Sequence, residues 1–238
     1  MSIISRLFFV LAAIGCASDA PEKTTTRTAP GDSVSAAVSA SVAGTSKVTV
    51  LFFGTSLTAG YGLDPSIAFP NLIARKSDST ATPIAAINAG LSGGTSAGAL
   101  RRIDWALRRP VDIVVVETGG NDALRALDPD SLETNLQGII RRIKARQPQA
   151  RIILATMESP PNLGARYNRR FREAYSNVAT REGVTLMPFL LDRVAGIDAL
   201  NQSDAVHPNE KGEQIVAGNV WRVLEPVVRE VYSSRSKG

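Results

Sequence analysis

The 238-residue chain is poor in the side chains that most often bind metals or cross-link a fold: it has one cysteine and one histidine. A lone cysteine excludes an internal disulfide, even in an oxidising compartment. One histidine and one cysteine do not furnish the usual zinc or iron sites, so neither a metal nor another cofactor is expected. Aromatics make up only 5% of the residues and are not interleaved with basic side chains, as single-strand nucleic-acid binders require. The net charge of +5 is dispersed over stretches such as "LRRIDWALRR" and "IIRRIKAR" at helical spacing, which reads as solvated helix faces and not a nucleic-acid surface. No apolar run is long enough to span a bilayer; the longest at the amino end covers only Leu7 to Gly15.

That short run follows Arg6 and has the form of a secretory signal, so residues 1–15 are set apart from the fold. The stretch Ala12-Ala13-Ile14-Gly15 before Cys16 resembles a bacterial lipobox, which implies cleavage before Cys16 and lipidation of its thiol. The plainer alternative is a signal cut at a later small residue such as Ala20. Residues 16–46 are rich in Ala, Ser, Thr and Pro and offer too little apolar surface to offset their ordering entropy. They read as a flexible tether to a domain at 47–238. The expected location is therefore the bacterial cell envelope, with membrane contact only through the lipid. Oligomeric state is not legible.

With 44% hydrophobic residues and a mean hydropathy of +0.01, the whole chain has ordinary globular composition. Apolar runs alternate with amphipathic ones. "VTVLFF" (48–53), "PIAAIN" (83–88), "DIVVVET" (112–118), "RIILATM" (151–157) and "VTLMPFL" (184–190) read as strands, the last an edge because of Pro188. Helical patterns occupy 67–76, 96–109, 132–146, 165–182 and about 210–232. This βα alternation predicts an α/β fold, a parallel sheet with helices on its faces. In such sheets ligands bind beyond the carboxyl ends of the strands.

Those ends carry the chemistry-bearing residues. Strand one runs into Gly54-Thr55-Ser56, strand two into "AGLSGGTSAG" with Gly93, strand three into "GGND" with Asn121. "DAVHPN", with Asp204 and His207, precedes the last helix. Serine needs a base to act as a nucleophile at neutral pH, and His207 is the only imidazole. Imidazole needs an acceptor to fix its tautomer, and Asp204 lies three residues away. Backbone N–H groups of Ser56 and Gly93 and the Asn121 amide are candidate oxyanion donors. Taken singly, each element also fits a helix cap, a surface histidine or a plain turn. "LSGGTSAG" lacks the lysine and spacing of a phosphate loop, which argues against a nucleotide-binding module.

Taken together, "FFGTSLTAGYG", "INAGLSGGTSAG", "ETGGNDAL" and "DAVHPN" resemble the four blocks of the SGNH (GDSL-type) hydrolases, most closely the thioesterase–lysophospholipase–arylesterase branch. The resemblance spans roughly 48–230. It implies a three-layer α/β/α, flavodoxin-like sheet of five strands in order 2-1-3-4-5. It also implies a metal-independent esterase with Ser56, His207 and Asp204 as its triad and Ser56, Gly93 and Asn121 as oxyanion donors. One departure stands out: the family's Gly-Asp-Ser is Gly-Thr-Ser here, with Thr55 in place of the aspartate. Leu57, Tyr61, Leu63, Met157, Pro160 and Leu163 are candidates to line an acyl groove, or else are ordinary packing residues. The implied substrate is a small-molecule or lipid ester. Removal of O-acetyl groups from a carbohydrate, and a non-catalytic binding lipoprotein of the same fold, are the alternatives.

Overall fold

The structure, a computed structural model, describes residues 47–236. The signal, Cys16 and the tether lie outside the described residues. Five strands form one parallel sheet: β1 (Val48–Gly54), β2 (Ile84–Gly90), β3 (Ile113–Val116), β4 (Arg151–Thr156) and β5 (Thr185–Phe189). Their order is β2-β1-β3-β4-β5, the order the resemblance implied. β1 and β3 are neighbours although β2 comes between them in the chain, so the sheet reverses direction of build at β1.

The inner strands are apolar on both faces because both are covered by helices. β3 is buried at every position. On one face α3 (Ser96–Ala106), α5 (Pro129–Arg146) and α6 (Ala165–Glu182) pack side by side. On the other, α2 (Phe69–Ser77) packs against α7 (Glu210–Arg235). β1 shows the division: Phe52 meets Phe69 of α2 edge-on at 5.8 Å, while Phe53 lies under the Arg102 guanidinium of α3 at 3.9 Å. The stripe read from sequence on α5, Leu132, Leu136, Ile139, Ile140 and Ile143, is fully buried.

Differences from the sequence reading are local. α5 begins at Pro129, three residues earlier than its apolar stripe, because Asp128 accepts the Asp130 N–H and Pro129 takes the first helical position. α7 begins at Glu210 because Asn209 caps it, its Oδ1 accepting the N–H groups of Lys211 and Gly212. β5 is indeed an edge, and its pairing with β4 skips Pro188: Ala155 faces Met187 and Thr156 faces Phe189. Proline has no N–H for the ladder, so the bulge falls there. Two short helices, α1 (Ser56–Ala59) and α4 (Gly120–Leu124), occupy stretches that the sequence presents as turns.

Candidate active site

Strand register brings the site together. Gly54 at the end of β1 lies opposite Gly90 at the end of β2, and Phe53 lies opposite Val116 of β3. Ser56, the Gly93 loop and Asn121 therefore leave the same edge of the sheet. Ser56 is the first residue of α1, buried except for 8% of its surface. Gly54 admits no side chain: a Cβ there would collide with Thr58 and with Glu117.

The histidine comes from the loop before α7. Asn201 and Pro208 pair as an isolated antiparallel bridge, and Gln202 donates its backbone N–H to the His207 carbonyl at 2.7 Å. Within this loop Asp204 Oδ1 accepts the N–H groups of Val206 (2.9 Å) and His207 (3.0 Å). Its Oδ2 meets His207 Nδ1 at 2.6 Å. The backbone bond from His207, then its ring bond, then the Val206 N–H, lower the Asp204 carboxyl to about 2. Ionised, Asp204 is only an acceptor, so Nδ1 carries the proton directed at it. Nε2 is then an acceptor, and Ser56 Oγ lies 2.9 Å from it. The geometry is a hydroxyl, a base and an orienting carboxylate in series, from the start of α1 and from a loop whose histidine lies 151 residues further on.

The other two residues singled out at the strand ends, Gly93 and Asn121, sit in defined surroundings. Gly93 has φ +75°, a conformation that favours glycine, and open space where a Cβ would stand. Its carbonyl accepts Arg125 Nη2 at 3.1 Å. Buried Asp122 accepts both the backbone N–H (2.8 Å) and the hydroxyl (2.5 Å) of Ser96, tying the start of α3 to α4, which carries Asn121. Asn135 adds a bond to the Ser96 hydroxyl at 2.9 Å. Asn121 itself lines the cavity beside Ser56.

Thr55 has a defined partner. The Glu117 carboxylate, buried after β3, accepts the Thr55 N–H at 2.7 Å and its hydroxyl at 2.8 Å. It also accepts the Thr58 hydroxyl at 2.8 Å. A third buried carboxyl, Glu213 of α7, accepts the Phe69 N–H at 2.8 Å. Burial pushes Glu213 up to about 8, with the Phe69 bond opposing and the charge of Glu117 adding to it.

A cavity of about 480 Å³ opens beside Ser56 and His207. Leu57, Met157 and Pro160 line it, together with Leu124, Phe189, Leu191 and Val206, which sequence reading did not single out. Three of the candidate lining residues are placed elsewhere. Tyr61 packs on the His207 ring, and Leu63 sits in the turn after α1, its N–H on the Gly60 carbonyl. Leu163 belongs to a separate hollow with Asp128, Tyr167 and Arg170, because the 3-10 turn Pro161–Leu163 carries it toward α5 and α6. Phe189 and Leu191 follow the bulge at Pro188, a position in space that periodicity could not supply. Among the described residues no cluster of three or more His, Cys, Asp or Glu side chains is arranged to hold a metal ion.

The sequence model of the GDSL-like Lipase/Acylhydrolase family matches residues 52–215. Esterase TesA of Pseudomonas aeruginosa is 36% identical over 182 residues, 76% of this chain and 89% of its own. Thioesterase 1/protease 1/lysophospholipase L1 of Escherichia coli is 34% identical over 181 residues, covering 76% and 85%. Among solved structures, the TesA crystal structure superposes with a TM-score of 0.71 at 35% identity, covering 75% of this chain and 99% of that one. The psychrotrophic esterase EstA from Pseudoalteromonas sp., inhibited by monoethylphosphonate, does so with 0.72 at 32%, covering 76% and 98%. With the hydroxyl, imidazole and carboxylate already in series at the sheet's edge, these similarities establish that the chain belongs to the GDSL-like lipase/acylhydrolase family.

Proposed function

We propose that this protein is a serine esterase that hydrolyses acyl esters or thioesters through a covalent acyl-enzyme. The observation that carries the reading is the Ser56–His207–Asp204 series, at 2.9 and 2.6 Å, at the mouth of an apolar cavity. Ser56 Oγ attacks the carbonyl carbon while His207 Nε2 takes its proton. Asp204 stabilises the imidazolium without taking a proton itself. The oxyanion is received by the N–H groups of Ser56 and Gly93 and the Asn121 amide. Collapse expels the alcohol or thiol with the proton from His207. Water, deprotonated by the same base, then releases the acid.

The cavity has the size of a small-ligand pocket and largely apolar walls. It exceeds what an acetyl group fills, which favours longer acyl chains, lysophospholipids included, over carbohydrate O-acetates. An intact series also argues against a non-catalytic binding role. The esterase and lysophospholipase names of the relatives support the same substrate class. At the amino end, we propose export by residues 1–15 and lipidation of Cys16, supported by the lipobox-like sequence. Fatty-acid labelling that persists in Cys16→Ser would refute the anchor.

The test is an ester panel of graded acyl length with wild type, Ser56→Ala and His207→Ala. Wild type should turn over several esters, and each variant should lose at least about 10³-fold in kcat. Activity of Ser56→Ala at the wild-type rate would refute the mechanism.

A further inference from the structure

The ring of Tyr61 lies against the imidazole of His207, centroids 4.7 Å apart and planes tilted by 41°. Its backbone is tied on both sides. The Tyr61 N–H donates to the Ser56 carbonyl at 3.0 Å, and the Tyr61 carbonyl accepts Gln202 Nε2 at 2.7 Å. Gln202 Nε2 also reaches the Pro208 carbonyl at 2.9 Å, and its backbone N–H holds the His207 carbonyl at 2.7 Å. Gln202 therefore joins the turn that carries the hydroxyl to the loop that carries the imidazole. The join requires glycine at position 62: its φ is +79°, and a Cβ there would run into Gln202 Oε1. Neither Tyr61 nor Gln202 lines the acyl cavity.

We propose that Tyr61, held in place by Gln202, is a positioning residue for His207. It keeps the imidazole plane aimed at Ser56 and offers its π-face to the imidazolium formed when the serine proton is taken. This inference rests on the ester-hydrolase reading above. The physical basis is twofold. Asp204 fixes one ring nitrogen but leaves the ring free to tilt about that bond, and a flat neighbour removes that freedom. An aromatic face also attracts a cation, so the contact is stronger in the state with charge on His207 than in the resting state. Such a difference lowers the barrier to acylation and leaves substrate affinity unchanged. The aromatic ring carries both effects; the phenol hydroxyl carries neither.

The test compares Tyr61→Phe, Tyr61→Leu and Gln202→Leu, with Ser56→Ala as the reference for the reaction, on one short-chain and one long-chain ester. Tyr61 is 52% exposed, so the fold does not depend on it, and Tyr61→Phe supplies the conservative rescue. Tyr61→Phe should keep the wild-type kcat. Tyr61→Leu should lose about two- to five-fold in kcat, the worth of an exposed cation–π contact, with KM unchanged and the same factor for both esters. Gln202→Leu should lose at least as much. Wild-type kcat in Tyr61→Leu or in Gln202→Leu overturns the proposal. So does an equal loss in Tyr61→Phe and Tyr61→Leu. A loss confined to KM, or growing with acyl length, makes Tyr61 a substrate wall and overturns it too. Activity surviving in Ser56→Ala is a separate failure, that of the esterase reading itself.

Discussion

Glu117 takes both the backbone N–H and the hydroxyl of Thr55, at 2.7 and 2.8 Å, in a site closed to solvent. The residue that departs from the family's Gly-Asp-Ser is thus a donor facing an acceptor. Thr55 precedes Ser56, so Glu117 anchors the peptide that presents the Ser56 hydroxyl. Glu117→Leu removes the acceptor on which the Thr55 N–H and the Thr55 and Thr58 hydroxyls converge. Stability should fall by about 1–3 kcal/mol, the cost of leaving buried donors unpaired, and kcat should fall with it. Thermal unfolding read beside steady-state kinetics checks this; an unchanged melting temperature contradicts it.

Asp204 divides its oxygens between two tasks, Oδ1 for the turn and Oδ2 for the imidazole. Asp204→Asn can keep the turn through Oδ1 while facing Nδ1 with a donor, which selects the wrong tautomer. By analogy with Ser-His-Asp enzymes, kcat should drop about 10³- to 10⁴-fold with little change in melting temperature. Because Asp204 stays ionised down to about 2, this carboxylate should add no proton uptake to the acid limb of kcat/KM above about pH 4. Titration of the Asp204 carboxylate between about pH 4 and 7 would contradict this assignment.

Asn121 reaches the cavity beside Ser56 from a helix clamped by Asp122 to Ser96. If its amide receives the oxyanion, it acts only once negative charge develops. Asn121→Ala should therefore lower kcat about 10²- to 10³-fold and leave KM within a few-fold. A change confined to KM would make it a ground-state contact.

Glu213 predicts a pH dependence of stability. Its folded value, about 8, lies above the ordinary value of 4.5, so the native state holds a proton that the unfolded state has released in between. Stability from this group is present below pH 4.5 and declines as pH rises toward 8. Glu213→Gln should flatten that decline and raise stability relative to wild type at pH 8. Urea unfolding at pH 5 and pH 8 measures it, and parallel wild-type and variant curves would refute it.

The parallel sheet with helices on its faces was legible because apolar, β-branched runs such as "DIVVVET" alternate with stripes such as Leu132–Ile143; the strand order came only from the family resemblance. Ser56, Gly93, Asn121 and His207 were legible because each follows a strand or precedes a helix, where a parallel sheet gathers its loops. Glu117 was not: within a strand-like run its carboxylate gives no sign that two threonine hydroxyls and a backbone N–H await it. Gln202 looked like any loop polar residue, since its partners Tyr61 and Pro208 are gathered only by folding. Leu163 follows Pro160 closely in sequence, yet one 3-10 turn directs it into a different hollow. Local pattern specified the elements; which side chains meet was decided by turns and registers that no periodicity encodes.

The central claim is that Ser56 becomes covalently acylated with His207 as its base. An activated phosphonate ester should add one equivalent to the protein, read by intact mass, and the adduct should map to the peptide containing Ser56. Labelling should be lost in Ser56→Ala and slowed by orders of magnitude in His207→Ala. An adduct on another residue, or equal labelling of Ser56→Ala, would contradict the account.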